Sequence, residues 1–274
     1  MHSSNLSIII PTLDEIEFLE ETITSCRRAC PTCEVIVSDG GSGDGTRELA
    51  DQLDLRLVDA ARGRAIQMNQ GAEAASRPTL LFLHADTRLP PGFSEVVLTT
   101  LQQRDAVAGA FRLRIRGKDR SLRLIEQVVN LRSRYLQMPY GDQALFMSRE
   151  VFHQVGGFPL QPIMEDFELV RRLKRRGRVV LADLPVLTAG RRWQINGPVH
   201  EARFTQESLG RVSISLDGSE VLQAEDVVRM TGGDGETPDG GNGDTGGDGG
   251  DGGMFEGNTL AIAAIAFFAA RSLD

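Results

Sequence analysis

Two acidic residues stand where two apolar runs end. Leu80-Leu81-Phe82-Leu83 leads into His84-Ala85-Asp86-Thr87, and Glu34-Val35-Ile36-Val37-Ser38 leads into Asp39-Gly40-Gly41-Ser42. Four large apolar residues in a row suit a strand covered on both faces, as in a parallel sheet with helices above and below. Ligands of open α/β sheets bind beyond the carboxyl ends of such strands. Carboxylates delivered there by two strands would hold a divalent cation and a phosphorylated ligand. A single Asp in this position is more often an N-cap for the next helix; the pair favours a site.

A second candidate lies in the cysteines. All three fall in Cys26-Arg27-Arg28-Ala29-Cys30-Pro31-Thr32-Cys33, the C-x3-C-x2-C spacing with which radical-SAM enzymes hold three irons of a four-iron cluster. The segment sits between an amphipathic helix and a strand, where a turn is needed anyway. Thr32 stands where those motifs carry an aromatic, and the flanking strands do not lead into a barrel of βα repeats. Ordinary reduced cysteines are expected instead.

The elements that must position the acids alternate. Leu6 to Ile10 reads as a strand stopped by Pro11, and Asp14 to Arg28 as a helix with apolar residues at 16, 19, 23 and 26. The strand ending at Asp39 follows, then a helix from Thr46 to Leu53 and a strand from Leu55 to Val58. A helix from Arg62 to Ala75, the strand before Asp86 and a helix from Pro90 to Gln103 complete a doubly wound pattern. Further on, Ala106 to Ile115 reads as a longer strand and Arg120 to Gln137 as a long helix. Gln143 to Met147 reads as a strand, Glu165 to Arg176 as a helix whose charges match its dipole, and Val179 to Leu187 as a strand. Val212 to Val221 suits a hairpin around Asp217-Gly218.

Charge is distributed unevenly. Of the net −8, residues 231–274 contribute −7, leaving the first 230 residues near −1. A general nucleic-acid-binding surface is therefore not indicated. The run Arg171-Arg172-Leu173-Lys174-Arg175-Arg176-Gly177-Arg178 is either a solvated helix face or a surface for anionic lipid or pyrophosphate. No signal peptide is apparent, and the eleven apolar residues from Leu260 to Ala270 fall short of the roughly 18–20 needed to span a bilayer. The expected location is cytoplasmic, with the cytoplasmic membrane face as an alternative. The division expected is a main domain at 1–210, a hairpin or helix extension at 211–230, a disordered Gly/Asp-rich linker at 231–258 and a short apolar segment at 259–274.

In order, the motifs are Ser7-Ile8-Ile9-Ile10-Pro11-Thr12-Leu13-Asp14-Glu15, Val35 to Thr46, Gly63-Arg64-Ala65-Ile66-Gln67-Met68-Asn69, and Phe82 to Thr87. Tyr140-Gly141-Asp142-Gln143, Met164-Glu165-Asp166 and Arg191-Arg192-Trp193 follow. Together these resemble the family 2 glycosyltransferases, within them the radical-SAM/selenodomain-associated branch, over about residues 5–195. The resemblance implies an α/β protein of GT-A (nucleotide-diphospho-sugar transferase) fold, with a mostly parallel central sheet flanked by helices. It implies an inverting transfer from a nucleotide-diphosphate sugar, a UDP-sugar first among them, to a hydroxyl or carboxyl acceptor, lipid or isoprenoid and carotenoid included.

By the same resemblance, Asp86 holds Mg²⁺ or Mn²⁺, which neutralises the leaving diphosphate. His84 stands where many relatives carry the first acid of a D-x-D, and is expected to hydrogen-bond the ribose. Pro11, Thr12, Glu15, Asp39, Gly40 and Arg64 are expected on the donor nucleotide, and Arg191 and Arg192 on its diphosphate. The general base is Asp166, with Glu165 as rival; both acids also suit a helix N-terminus. Gln143 and Trp193 are expected on the acceptor side. Asp14 replaces the Asn common in relatives, and the polar sequence after Trp193 departs from their apolar helices. A Rossmann fingerprint is out of register, since Thr46 stands where the third glycine belongs. A nucleotidyltransferase would open with a glycine-rich basic loop that Pro11 to Glu15 lacks. A non-catalytic nucleotide-sugar-binding protein would need no base.

Overall fold

The computed structural model describes residues 5–161, 164–190 and the segments 203–207, 211–216 and 219–222. The chain divides into two units, Met1–Gly190 and Arg191–Asp274. In the first unit a helix follows most strands: β1 (Leu6–Thr12), α1 (Ile16–Ala29), β2 (Glu34–Asp39), α2 (Thr46–Gln52), β3 (Arg56–Asp59), α3 (Arg64–Ala74), β4 (Thr79–Phe82), β5 (Thr87–Arg88) and α4 (Phe93–Leu101). Then come β6 (Ala106–Ile115), α5 (Arg120–Tyr135), a 3₁₀ turn (Gly141–Gln143), β7 (Phe146–Ser148), α6 (Arg149–Gln154), α7 (Glu165–Lys174) and β8 (Arg178–Thr188).

These eight strands form one mixed sheet in the order β3-β2-β1-β4-β7-β6-β8-β5. β1 to β4 run parallel, β7 is antiparallel to both β4 and β6, and β6 is parallel to β8. The register pairs Thr12 with Asp39 and Asp39 with Asp59, so three strand ends meet on one edge. Alternation along β1 sends Ile8 and Ile10 into one core, with Leu19, Ile23 and Val37, while Ile9 enters the other with Ile36, Met68 and Phe82. Uninterrupted apolar runs are what a sheet covered on both faces requires.

Several expected boundaries shift for identifiable reasons. Pro11 does not end β1, which runs on to Thr12. The segment 143–147 is not one strand. Gln143 closes the 3₁₀ turn, Ala144 takes a positive φ of 49°, and β7 starts only at Phe146. β5, two residues long, was not legible as a strand at all. Its pairing of Thr87 with Thr188 ties it to the end of β8. Beyond Gly109, where β7 stops pairing, the free edge of β6 is covered by α5. Asn130 bonds both the amide and the carbonyl of Leu113, at 2.8 and 3.1 Å, and Glu126 accepts from the Ile115 amide. Such covering removes unpaired edge groups that would otherwise recruit another strand.

Gly109 is where β6, β7 and α4 approach most closely. A Cβ there would lie 2.4 Å from Phe146 Cζ and 3.0 Å from Thr100 Cγ2, and the Phe146 ring is fully buried. Gly109→Ala is therefore expected to destabilise the protein by about 1–3 kcal/mol through overpacking, read from the shift of a urea unfolding curve.

The cysteines are not all reduced. Cys30 and Cys33 form a disulfide at the end of α1, with Cα atoms 5.5 Å apart. Cys26 is a buried free thiol, pushed up to about 12 by burial. With one thiol in the core and two bonded to each other, the three do not present a cluster site. In the second unit, β9 (Arg203–Glu207), β10 (Arg211–Leu216) and β11 (Ser219–Leu222) form an antiparallel sheet. Leu216 pairs with Ser219 across the Asp217-Gly218 dipeptide. The predicted linker at 231–258 and the apolar segment at 259–274 lie outside the described residues.

Candidate active site

At the ends of β1 and β2, two loops are stitched together by reciprocal hydrogen bonds. Ser42 Oγ accepts from the Asp14 amide, while Asp14 Oδ1 accepts from the Gly43 amide, both at 2.9 Å. Thr46 Oγ1 accepts from the Glu15 amide, and Asp44 Oδ2 from the Ile16 amide. Asp14 adopts a φ of 55°, a left-handed conformation that Asp and Asn tolerate best among residues with a side chain. Asp therefore suits the backbone at this position as Asn would.

Asp39 is fully buried and accepts from five donors. Oδ1 takes the amides of Gly41 and Ser42 and, at 3.2 Å, Arg47 Nη1; Oδ2 takes Thr12 Oγ1 and Ser42 Oγ. Burial pushes this carboxyl up, but the Ser42 side chain, the Ser42 and Gly41 amides and the Thr12 hydroxyl outweigh it and hold the group below its ordinary value of 3.8. A depressed carboxyl stabilises the fold fully above that ordinary value and loses its contribution as the pH falls through the depressed one. The urea midpoint is accordingly expected to drop below about pH 4. Ser42→Ala should cost about 1.5 kcal/mol at neutral pH and make the acid-induced drop shallower.

Arg47 was not singled out by the sequence. It bridges Asp39 and Asp59, and both acids raise its pKa, Asp59 more. Only the adjacent register of β2 and β3 reveals it. Gln67 was quoted in a motif but given no role. Its Nε2 donates to the carbonyls of Thr12 and Ser38, at 2.5 and 3.2 Å. A Cβ on Gly40 would lie 3.0 Å from that nitrogen. Gly40 thus makes room for the Gln67 amide, a packing reason beside the expected ligand approach. Asn69, two residues on, clasps the Phe158 amide and carbonyl at 2.9 and 2.8 Å. α3 therefore anchors both the donor-side loops and the turn that leads toward α7.

Asp86 is nearly buried and is held from its backbone outward. Its carbonyl accepts from the Ala189 amide at 3.0 Å, and the neighbouring Thr87 hydroxyl meets Thr188 Oγ1 at 3.1 Å. Both threonine hydroxyls point at Asp86 Oδ1, at 3.3 and 3.5 Å. Neutral hydroxyls orient the carboxylate without cancelling its charge. Among the described residues no three His, Cys, Asp or Glu side chains group to hold a metal ion. One carboxylate completed by diphosphate oxygens and water is nevertheless the usual way Mg²⁺ is bound. The donor set around Asp86 fits such an ion. Asp86 also borders a small cleft with Phe18 and Glu21, where Glu21 pairs with both Arg88 and Arg116.

The two acids of α7 have separate settings. Glu165 is buried and lies 3.7 Å from Arg64 at the start of α3. Asp166, also buried, accepts from the Gly141 amide at 2.8 Å on Oδ2 and from the Phe167 amide at 2.7 Å on Oδ1. A Cβ built on Gly141 would stand 3.1 Å from His84 Nε2 and 3.3 Å from Asp166 Oδ2. The β4 end and the α7 start thus converge on one glycine. Gln143 lies wholly inside, its amide bonded to Ser133 Oγ, the Tyr140 amide and the Phe111 carbonyl. It holds the turn that carries Gly141 and does not itself face solvent.

Pro11, Thr12, Glu15, Asp39 and Gly40 gather around the ends of β1 and β2. His84, Asp86, Glu165 and Asp166 gather around the end of β4, with Arg64 attached through Glu165. Arg191, Arg192 and Trp193 lie outside the described residues. The basic run of α7 is largely engaged: Arg171 and Arg172 pair with Glu168, Lys174 bonds the Leu136 carbonyl and Arg176 bonds Gln154.

Solved structures share this fold. With S. aureus TarS 1–349 in complex with UDP the TM-score is 0.54 at 17% identity, covering 67% of this chain and 60% of that one. With the mannosyltransferase PcManGT from Pyrobaculum calidifontis in complex with GDP-Man and Mn²⁺ it is 0.53 at 20% identity, covering 67% and 56%. Among curated proteins, the PGL/p-HBAD biosynthesis glycosyltransferase of Mycobacterium bovis is 37% identical over 97 residues, which is 32% of this chain and 38% of the relative. Validoxylamine A glucosyltransferase of Streptomyces hygroscopicus subsp. jinggangensis is 35% identical over 107 residues, 35% of this chain and 25% of the relative. The matched region therefore spans well under half the length of either relative. The Glycosyl transferase family 2 model matches residues 7–161, more than half of the chain and all of the segment that carries Asp39, Asp86 and Gly141, and the protein belongs to that family of glycosyltransferases.

Proposed function

We propose that this glycosyltransferase moves a sugar, with inversion, from a nucleotide-diphosphate sugar to a hydroxyl or carboxyl acceptor, with UDP-sugars as the first donors to test and lipid or isoprenoid hydroxyls as the acceptor class. The observation that supports it most is the convergence on Gly141 of Asp166 and of His84, which stands two residues before Asp86 in the chain. One short stretch then serves both the acceptor proton and the departing diphosphate.

In this reading Asp166 takes the proton from the acceptor oxygen as that oxygen bonds to the anomeric carbon and the bond to the diphosphate breaks. The Gly141 and Phe167 amides orient its carboxylate for that task. Glu165 holds Arg64 toward the donor. His84 meets the ribose, and a base or ribose hydrogen takes the place of Arg47 or Ser42 at Asp39. A Mg²⁺ or Mn²⁺ ion held by Asp86 would supply charge neutralisation at the leaving diphosphate. Glu15, Pro11, Thr12 and Gly40 shape the nucleotide pocket; Arg191 and Arg192 are assigned to the diphosphate, and Trp193 to the acceptor, by the motif resemblance alone. The motif order supports the radical-SAM/selenodomain-associated branch, and the cytoplasmic membrane face is the proposed location.

Titration of the protein with UDP, GDP, CDP and dTDP, with and without Mn²⁺, tests the donor half. Metal-dependent binding of one nucleotide is expected. Failure of all four to bind folded protein would remove the donor-site reading.

A further inference from the structure

Helix α5 turns an apolar stripe to solvent. Leu124, Leu131, Tyr135 and Leu136 are 52, 54, 74 and 61% exposed, and half-buried Val128 lies between the first two. Positions 124, 128, 131 and 135 follow each other at helical spacing along one side. The opposite side is already used, for Leu122 and Val129 enter the core and Glu126 and Asn130 cap the edge of β6. A helix with one partner ordinarily carries polar residues on its outer face; on α5 the exposed Gln127 and Arg134 stand beside an apolar row. An apolar row of this kind, rimmed by polar residues, suits an interaction face.

Charge identifies the partner. Residues 116–136 carry six basic side chains (Arg116, Lys118, Arg120, Arg123, Arg132, Arg134) against two acidic ones, Asp119 and Glu126, within a body near neutrality. Lys118 and Arg120 are exposed at one end of the stripe; at the other, Arg134 is exposed and paired with the exposed Asp183, and Lys174 is exposed while its ammonium donates to the Leu136 carbonyl. Long cationic side chains bracketing an apolar helix face suit the headgroup layer of an anionic bilayer, where they reach phosphates while the apolar groups enter the acyl boundary. From Leu124 to Leu136 the stripe is about 18 Å long and, at a face width of about 10 Å, offers about 180 Å². A stable dimer needs about 800 Å² from each partner, so a second copy is the poorer occupant.

We propose that α5 is a membrane-docking helix, and that acceptor lipid passes from the bilayer under its stripe to the turn at Gly141 and Asp166, into which the chain leads directly through Tyr140. The docking half stands on α5 alone; the delivery half rests on the proposed role of Asp166.

The test is flotation of the full chain with vesicles of phosphatidylglycerol and phosphatidylcholine in equal parts, and with phosphatidylcholine alone. Wild type should float with the anionic vesicles and far less with the neutral ones. Leu124→Gln/Leu131→Gln/Tyr135→Gln alters only exposed side chains, so its thermal unfolding and nucleoside-diphosphate binding should match wild type. Its vesicle affinity should fall at least about tenfold. Docking is overturned if wild type does not float with anionic vesicles, or if the triple variant floats equally well. A triple variant that only lowers the oligomeric mass in light scattering would likewise overturn it and identify a self-association face. Vesicle binding without binding of any nucleoside diphosphate would instead leave docking intact and remove the donor-site reading.

Discussion

Asp166→Asn is expected to lower kcat by about 10²- to 10⁴-fold, the range that a positioned general base contributes, while the donor nucleotide binds as in wild type. The amide's one oxygen can still accept from the Gly141 amide, the long-range bond that ties the turn to α7, while the Phe167 amide loses the other carboxylate oxygen as its partner, so the turn should survive the change. What it loses is the capacity to take a proton. The adjacent acid provides the control. Glu165 lies 3.7 Å from Arg64 and is buried, so Glu165→Gln should loosen Arg64 and appear chiefly as a higher KM for donor. Steady-state kinetics on the two variants separates the roles. An Asp166→Asn enzyme with more than a tenth of wild-type turnover would transfer the assignment to Glu165 or remove the base altogether.

Asp86→Ala is expected to abolish the metal-dependent part of nucleoside-diphosphate binding, a loss of at least about 100-fold in affinity or about 2.7 kcal/mol. The local fold should persist, because the variant loses only the long hydroxyl bonds to Asp86 Oδ1, at 3.3 and 3.5 Å, and keeps the contacts that do not use that side chain. The Ala189 amide bonds the Asp86 carbonyl, and Thr87 pairs with Thr188 across β5 and β8. Calorimetry with and without Mn²⁺ reads the effect directly. Equal metal-dependent binding by wild type and variant would place the cation elsewhere in the protein.

The two α7 variants and Asp86→Ala bear on residues whose types were legible but whose surroundings were not. Asp39 illustrates the difference. As a strand-end acid it is expected to meet a nucleotide, yet in the folded chain it accepts from five protein donors, among them Arg47, eight residues away. A carboxylate offers roughly four lone-pair sites, so a ligand must displace a protein donor to bond there. Gln143 makes the same point more strongly. Its place in a motif suggested the acceptor site, and its amide is instead consumed by Ser133 of α5, Phe111 of β6 and Tyr140 at the start of its own turn.

Local chemistry was sufficient for much of the fold. Apolar runs at β1, β2 and β4, helical spacing in α1 and α7 and turn residues between them dictate alternating strands and helices, because burial of one face follows from a short-range pattern. The same pattern puts Asp39 and Asp86 at carboxyl ends of strands. Tertiary structure decided what no window of sequence contains. It bonded Cys30 to Cys33 and left Cys26 in the core, and it made a strand of Thr87-Arg88 only because β8 lies beside them. It brought His84 and Asp166, 82 positions apart, to either side of Gly141, and left one side of α5 apolar and open. Those outcomes depend on which surfaces meet after the elements pack, and contacts between distant segments are specified by the whole chain's burial and register.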